Sequence, residues 1–156
     1  MTQPIVAAQT VKTPLGELGL EASESGLTRV VFGPVLGESN AVTRQAAAEI
    51  EQYFAGERRE FTVPLDRSGE GFRAQAQAAL SDIEYGRTET YSELAARIGN
   101  PRAVRAVGSA CATNPLPIIV PCHRVLRSDG TLGGYAGGIE MKQYLLELER
   151  EHAIGG

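Results

Sequence analysis

The chain lacks the features that would place it in several large classes of protein. Its 156 residues include no tryptophan and only two cysteines, and no apolar run is long enough to cross a membrane. The first residues lack the basic and continuous apolar segments of a secretory signal. Without a CxxC motif or neighbouring histidines, a zinc site is not expected, and both thiols are predicted to be reduced. These absences favour a cytoplasmic protein.

Acidic residues are missing from one stretch of a chain that is acidic overall. The net charge is −4, yet no Asp or Glu separates the five arginines Arg97, Arg102, Arg105, Arg124 and Arg127. Because salt screens each charge beyond ~8–10 Å, a positive face on an acidic protein still attracts phosphate. The stretch therefore indicates either a nucleic-acid contact or a solvated face.

The pattern of the chain predicts two small domains. Residues 1–65 favour an α/β domain, the polar residues 66–71 a linker, and residues 72–156 a mostly helical domain. The elements predicted for the first domain are three strands within residues 5–32, a helix over residues 41–55 capped by Asn40, and a short fourth strand over residues 60–65. A strongly helix-forming run over residues 72–83 opens the second domain.

Local signals in the second domain predict a helix-turn-helix. Thr90 and Glu93 form a capping box, so a helix should begin at Tyr91, directly after the capping residue Thr90. Asn100 is a candidate cap for a second helix, and Pro101 suits its first position, where no N–H is needed. Two short helices joined by a tight Gly-Asn turn are typical of this motif.

The second helix of this motif should have two distinct faces. The residues predicted to face the core are Val104, Val107 and Cys111. The residues predicted to face outward are Arg102, Arg105, Ala106, Ser109 and Ala112. A helix that reads bases in the major groove usually carries longer polar side chains along its length. Small residues instead suit close approach to a narrow groove through phosphate contacts. A plain packing helix is the alternative.

The segment PIIVPCHRV places a cysteine beside a histidine at the end of an apolar run. The run is predicted to be extended and buried, so Cys122 and His123 should point to opposite faces and communicate through a water. His123, Arg124 and Arg127 bring positive charge, which is expected to lower the pKa of the thiol. Prolines stiffen the backbone here, at Pro115, Pro117 and Pro121. The alternative is a cysteine that only fills the core.

The last helical stretch, GGIEMKQYLLELE, offers this histidine a partner. At helical spacing Glu149 falls on the apolar face, and Lys142 falls beside it. Because a buried carboxylate needs partners, we expect Glu149 to contact His123, and Lys142 to contact Cys122 or a nearby tyrosine. A carboxylate that frays into water at the helix end is the alternative.

A glycine-rich loop, SDGTLGGYAGG, lies between these two segments. It predicts a tight hairpin followed by a loop in which the backbone approaches another group closely, with Tyr135 as the residue that stacks or donates. A phosphate-binding loop would end in Gly-Lys-Ser or Gly-Lys-Thr, which this loop does not, so nucleotide binding is disfavoured.

Together these residues resemble a known family. NPLPIIVPCHRVLRSDGTLGGYAGG is similar to the active-site signature of the methylated-DNA–protein-cysteine methyltransferases, and YSELAARIGNPRAVRAVG resembles the helix-turn-helix of that family. The resemblance implies a small N-terminal antiparallel sheet with a helix (ribonuclease-H-like, α/β) and a mostly α C-terminal domain. The family often has a tryptophan in the helix after the linker, and RAQAQAAL fills that place here.

The family's chemistry implies a role for each matching residue. Cys122 would accept the alkyl group, His123 would take its proton through a water, and Glu149 would orient His123. Tyr135 would donate to the departing guanine and Lys142 would assist through Tyr91 or the cysteine. Asn114 would tie the recognition helix to the active-site segment. The residues expected to line the substrate pocket are Pro117, Val125, Ala136 and Gly137, and Gly137 leaves room for groups larger than methyl.

The resemblance also implies how DNA is bound. Tyr91 would crowd the target phosphate, and Arg105 would fill the place of a base flipped out of the minor-groove side of the duplex. The other expected DNA contacts are Arg102, Ala106, Ser109 and Arg124. The implied activity is single-turnover repair of O6-alkylguanine, with O4-alkylthymine as a further candidate, by a monomer that needs no cofactor, metal or membrane.

Two other functions fit parts of the pattern. A lesion sensor would keep the helix-turn-helix without the reactive cysteine, and the presence of Cys122 argues against it. A thiol hydrolase would use the cysteine, histidine and glutamate with the helix-turn-helix as packing only, and it would turn over repeatedly on an ester.

Overall fold

The computed structural model describes residues 3–67 and 69–154. The chain forms two compact units, Met1–Ser68 and Gly69–Gly156. In the described part of the chain, no helix is long and apolar enough to cross a lipid bilayer.

The first unit is a three-stranded antiparallel sheet covered by one helix. The strands are β1 (Ala7–Thr13), β2 (Gly16–Ala22) and β3 (Leu27–Val31), in the order β1-β2-β3, and the helix is α1 (Ala41–Phe54). The strands alternate apolar and polar residues, so that one face of the sheet is buried under α1. The core of the unit includes Leu18, Leu20, Leu27, Ile50 and Tyr53, each at most 1% exposed.

The helix α1 begins where the sequence predicts. The side chain of Asn40 accepts a hydrogen bond from the backbone of Thr43, and the Thr43 side chain in turn accepts from the backbone of Asn40. This reciprocal pair satisfies two backbone donors that the first turn would otherwise leave open.

The predicted fourth strand over residues 60–65 is wrong. Only Leu65 forms an isolated bridge, to Leu27. The residues before it are held by a side chain instead, because the carboxylate of Glu49 accepts hydrogen bonds from the backbone N–H groups of Thr62 and Val63 at 2.8 and 3.1 Å. Pro64 lacks an N–H and cannot extend a ladder. Residues 62 and 63 are therefore an irregular segment that is hydrogen-bonded to α1 through the side chain of Glu49.

The second unit is mostly helical. Its helices are α2 (Gly71–Leu80), α3 (Tyr91–Arg97), α4 (Val104–Ala112) and α5 (Ile139–Ile154). Two short strands, β4 (Glu89–Thr90) and β5 (Val125–Leu126), pair in parallel, and a 3₁₀ turn over Cys122–Arg124 precedes β5. The helix α2 ends before the predicted residue 83, since residues 81–83 make turn hydrogen bonds to residues 78–80.

The helix-turn-helix consists of α3 and α4. The capping box of Thr90 and Glu93 is present, so α3 begins at the predicted residue. The predicted start of the second helix at Pro101 is wrong, because α4 begins at Val104. The N–H of Ala103 donates to the carbonyl of Asn100 at 3.0 Å. Pro101 is thus the second residue of a tight turn, a position that proline favours as strongly as a helix start.

We expect Glu49 to stabilise the first unit. Burial raises the pKa of Glu49, but hydrogen bonds from Gln45, Thr62 and Val63 outweigh it and leave the pKa lowered. Glu49→Ala should therefore reduce the free energy of unfolding by about 1–3 kcal/mol, because it orphans two backbone donors. The stabilisation should be present above the ordinary carboxyl pKa and disappear as the pH falls through the lowered value.

Urea unfolding at neutral and acidic pH measures both effects. Glu51→Ala is the matched control, since Glu51 is an exposed carboxylate on the same helix. Equal losses for the two variants would contradict the role given to Glu49.

Candidate active site

The segment that carries Cys122 is a buried turn. The expectation of an extended run over residues 117–120 is wrong, because the N–H of Val120 donates to the carbonyl of Leu116 at 2.8 Å. Ile118 has a φ of +74°, in the left-handed region. A β-branched residue there costs on the order of 1–3 kcal/mol and persists only where its surroundings hold it, as they commonly do at functional sites.

Asn114 closes this turn. Its Nδ2 donates to the carbonyl of Val120 at 2.9 Å, and its Oδ1 accepts from the N–H of Leu116 at 3.0 Å. The same side chain favours the ionised form of Cys122 and acts to lower the pKa of its thiol. Asn114 lies two residues after the end of α4, so it connects that helix to the segment that carries the thiol.

Cys122 and His123 lie in one 3₁₀ turn. The prediction that they point to opposite faces of an extended strand therefore does not apply. Both are buried, with Cys122 6% exposed and His123 fully enclosed.

His123 is paired with Glu149 of α5. His123 Nε2 lies 2.7 Å from Glu149 Oε2, and Glu149 is 1% exposed. Burial raises the pKa of Glu149, but pairing with His123 and Arg124 outweighs burial and lowers this pKa to about 2. Burial lowers the pKa of His123, against the attraction of Glu149, so the imidazole is neutral.

The contact with Glu149 determines which ring nitrogen of His123 carries the proton. An ionised carboxylate only accepts hydrogen bonds, so the neutral imidazole must carry its proton on Nε2. Its other nitrogen, Nδ1, is buried without a hydrogen-bond partner among the described residues. His123 therefore presents an unprotonated nitrogen, as a general base does.

Arg124 does not lie where the sequence suggested. It was predicted to contact DNA, but it is buried at 7% exposure. Its Nε and Nη2 lie 2.7 and 2.9 Å from the two oxygens of Glu149, and Nη1 donates to the carbonyl of Ile83 at 2.6 Å. The guanidinium also lies 5.6 Å from the centre of the Tyr85 ring.

The thiol of Cys122 is not activated in the way the sequence suggested. Burial raises its pKa, and the hydrogen bond with Asn114 and the positive charge of Lys142 offset only part of the effect. His123 contributes no charge because it is neutral, and the charge of Arg124 is taken up by Glu149. The expected net lowering of the thiol pKa is therefore wrong, because burial outweighs the positive charge that is present.

Lys142 is buried among carbonyl groups. Its Nζ donates to the carbonyl oxygens of Val125 at 2.7 Å and Gly134 at 3.4 Å. The sequence had instead suggested a contact of Lys142 with Cys122 or a tyrosine. The Tyr91 ring is nearby, with its centre 6.0 Å from Nζ. Lys142 thus ties α5 to β5 and to the loop that carries Tyr135.

A cavity of about 350 Å³ opens beside the thiol. The residues that line it are Tyr91, Gly108, Cys111, Ala112, Cys122, Gly134, Tyr135 and Ala136. Among the predicted pocket residues only Ala136 is present, since Val125 and Pro117 are buried in the core and Gly137 lies outside the lining.

One wall of the cavity is formed by α4 and was not predicted from the sequence. Cys111 was placed in the core but is only half-buried and lines the cavity. The i, i+3, i+4 spacing of Gly108, Cys111 and Ala112 on α4 is the signal that could have found this wall. Small residues at these positions leave the space beside Cys122 open.

The outward face of α4 is as predicted. Arg105, Ala106, Ser109 and Ala112 are all exposed, and so is Arg102 in the turn before α4. The positive surface is smaller than the arginine count suggests, because Arg97 pairs with Glu89 at 2.8 Å and Asp82 at 3.3 Å. Arg127, which belongs to the same stretch, is exposed.

The loop after β5 begins with a tight turn, closed by the N–H of Arg127 donating to the carbonyl of Thr131 at 2.9 Å. The strands of the predicted hairpin are absent from these residues. Gly133 has a φ of +73°, and a Cβ there would lie 3.2 Å from the Tyr91 hydroxyl. This is the close backbone approach that the glycines predicted.

Fold and site together define a class: a helix-turn-helix protein with a buried thiol backed by a histidine–carboxylate pair. Residues 6–67 match the ribonuclease-like domain of 6-O-methylguanine DNA methyltransferase, and residues 71–151 match its DNA binding domain. The chain therefore belongs to the 6-O-methylguanine DNA methyltransferase family.

Individual relatives are similar over nearly their whole length. Methylated-DNA–protein-cysteine methyltransferase of Methanosarcina barkeri is 40% identical, over 91% of this chain and 96% of that protein. The constitutive enzyme of the same name from Bacillus subtilis is 40% identical, over 90% and 93%. The crystal structure of Mycobacterium tuberculosis OGT in complex with DNA has a TM-score of 0.85 and 42% identity, covering 93% of each chain.

The raised thiol pKa leads to a test that needs no substrate. Carboxamidomethylation of Cys122 by iodoacetamide should keep accelerating with pH beyond the ordinary thiol range of ~8.5. Lys142→Met should shift this dependence further upward, because it removes a positive charge that favours the thiolate. Mass spectrometry of the Cys122 peptide measures the rate. Lys12→Met, at an exposed site of the first unit, is the control. A plateau near neutral pH would contradict the raised pKa of Cys122.

Proposed function

We propose that this protein repairs DNA by transferring the alkyl group of O6-alkylguanine to the sulfur of Cys122, once per molecule. The observation that carries the proposal is the site itself: Cys122 faces a cavity of about 350 Å³, with His123 and Glu149 joined at 2.7 Å behind it. The names of the family and of the relatives support the same reaction.

The reaction would begin with removal of the thiol proton. His123 Nδ1 would take this proton through a bridging water, and Glu149 would stabilise the imidazolium that forms. The sulfur would attack the carbon bound to O6, forming the S–C bond as the C–O6 bond breaks. The electron pair of that bond leaves on guanine, which then recovers a proton from the imidazolium. The thioether has no easy leaving group, so the protein is consumed.

Tyr135 and Lys142 would assist the departure of guanine. Burial raises the pKa of Tyr135, so its phenol keeps its proton and is a donor to the charge that develops on the base. Lys142 would hold the loop carrying Tyr135 in place through its contact with the Gly134 carbonyl, which lies at 3.4 Å.

DNA would be bound along the exposed face of α4. Its small residues allow close approach to a groove, and Arg105 would occupy the place vacated by the flipped nucleotide. Tyr91 would crowd the target phosphate from the cavity wall. The proposal keeps four expectations from the sequence: binding in the minor groove, a monomeric state, a cytoplasmic location and activity on O4-alkylthymine.

Mass spectrometry tests the alkyl transfer directly. After incubation with a duplex containing O6-methylguanine, the intact protein should be one methyl group heavier, with the methyl on the Cys122 peptide. Cys122→Ser should gain no mass, and Cys111→Ala should react normally even though its side chain lines the same cavity. Repeated turnover on a simple ester, without a stable adduct, would favour the thiol hydrolase instead.

The role of Arg105 leads to a comparison of two substrates. Arg105→Ala should slow the repair of duplex DNA by about tenfold or more, because the flipped state loses its replacement in the stack, whose energy is a few kcal/mol. Reaction with free O6-methylguanine should be unchanged. Single-turnover rates measure both. Arg44→Ala, which removes an exposed charge from the first unit, controls for net charge. Equal losses on both substrates would disprove the role.

A further inference from the structure

Arg124 contacts both oxygens of the buried Glu149 carboxylate. The 2.7 and 2.9 Å contacts from Nε and Nη2 reach different oxygens of Glu149, a two-pronged geometry that only a guanidinium offers. Its third contact, from Nη1 to the Ile83 carbonyl at 2.6 Å, fixes the plane of the guanidinium. All three contacts lie in the interior, because Arg124 is 7% exposed and Glu149 1%.

These contacts of Arg124 determine the protonation state of the Glu149 carboxylate. A carboxylate buried beside a neutral histidine alone would tend to take up a proton, since burial disfavours its charge. The Arg124 guanidinium supplies the compensating positive charge through its two contacts with the carboxylate. Glu149 therefore remains ionised and can only accept from His123 Nε2. The consequence is that His123 Nδ1 is left as the basic nitrogen.

The charge of Arg124 also acts on the ring itself. The charged and titratable groups that face His123 are Glu149 and Lys142 on α5 and Arg124 on its own turn. Those that face Glu149 are His123, Arg124 and the phenol of Tyr135. Arg124 and Lys142 disfavour the imidazolium while Glu149 favours it, and together with burial they keep the resting imidazole neutral.

We propose that Arg124 is a positioning residue for alkyl transfer: it holds Glu149 ionised and oriented, and thereby fixes the tautomer in which His123 can accept the proton of Cys122. The inference rests on the proposed function for its kinetic consequence. Its structural consequence, the proton on Nε2, does not depend on which reaction the site performs.

Two substitutions separate charge from geometry. Arg124→Lys keeps the charge but replaces the fork by a single ammonium group, so the acid limb of the pH–rate profile should stay near its original pH while the rate falls about tenfold or more. Arg124→Met removes the charge as well. The apparent pKa of the coupled His123–Glu149 pair should then rise, so the free basic nitrogen is lost at a higher pH and the acid limb moves upward. Arg87→Lys, at an exposed pair with Glu84, is the control.

Two measurements exclude a role that is only structural. Free O6-methylguanine and methylated duplex should be affected equally, because Arg124 is buried and acts through Glu149. In a Glu149→Gln background, Arg124→Met should cause little further loss, because Arg124 acts through Glu149. A folded Arg124→Met variant with the original rate and pH profile would overturn the proposal, as would a full additional loss in the Glu149→Gln background.

The third measurement needs no variant and no substrate. In ¹⁵N NMR spectra of the unmodified protein, His123 should show a protonated Nε2 and an unprotonated Nδ1 at neutral pH. A proton on Nδ1 would overturn the proposal even if the variants failed to fold. If the protein does not transfer alkyl groups at all, the rates lose their meaning but this spectrum still decides the tautomer.

Discussion

One buried negative charge, the carboxylate of Glu149, constrains the second unit. A carboxylate that is 1% exposed is stable only where partners replace its hydration. Those partners are His123 and Arg124, adjacent residues of the turn that also holds the thiol. The pairing requires α5 to pack on this turn, and the contact of Arg124 with the Ile83 carbonyl brings in the segment after α2. Three distant parts of the chain therefore meet around one charge.

The same burial explains how a thiol that is used once can remain intact. A thiol with a lowered pKa is reactive towards oxidants and electrophiles as well as substrate. The raised pKa of Cys122 keeps it protonated at rest. In the proposed reaction the neutral base beside it removes the proton only when an alkylated guanine fills the cavity. A protein that can transfer only one alkyl group benefits from a nucleophile that is protected until its substrate is in place.

The features that could be predicted from the sequence have local or periodic signals. The capping box of Thr90 and Glu93 involves residues three apart, and it set the start of α3 correctly. The place of Glu149 on the apolar face of α5 follows from helical spacing, and it led to the histidine 26 residues away. The antiparallel sheet follows from alternation and turns. Each of these is determined by neighbours along the chain or along one helix.

The features that could not be predicted depend on tertiary partners. Arg124 looked like a DNA contact because its charge was considered without Glu149, which lies 25 residues later. Pro101 suits a helix start and a turn equally well, and only the hydrogen bond from Ala103 to Asn100 decides between them. The lining of the pocket could not be predicted because it depends on which side chains pack beside the thiol: Pro117 and Val125 are buried and absent from the lining, whereas α4 supplies one wall.

The five arginines between residues 97 and 127 show how tertiary partners change a prediction about function. Of the five between residues 97 and 127, Arg97 is paired with acids and Arg124 is buried, so Arg102, Arg105 and Arg127 remain exposed. In the proposed complex with DNA, three cations would give few phosphate contacts, and hence a modest, salt-sensitive affinity without base reading. The exposed face of α4 otherwise carries small residues. In the proposed reaction, discrimination between damaged and undamaged DNA must therefore arise at the cavity, from the flipped base and its reaction with Cys122, rather than at the helix.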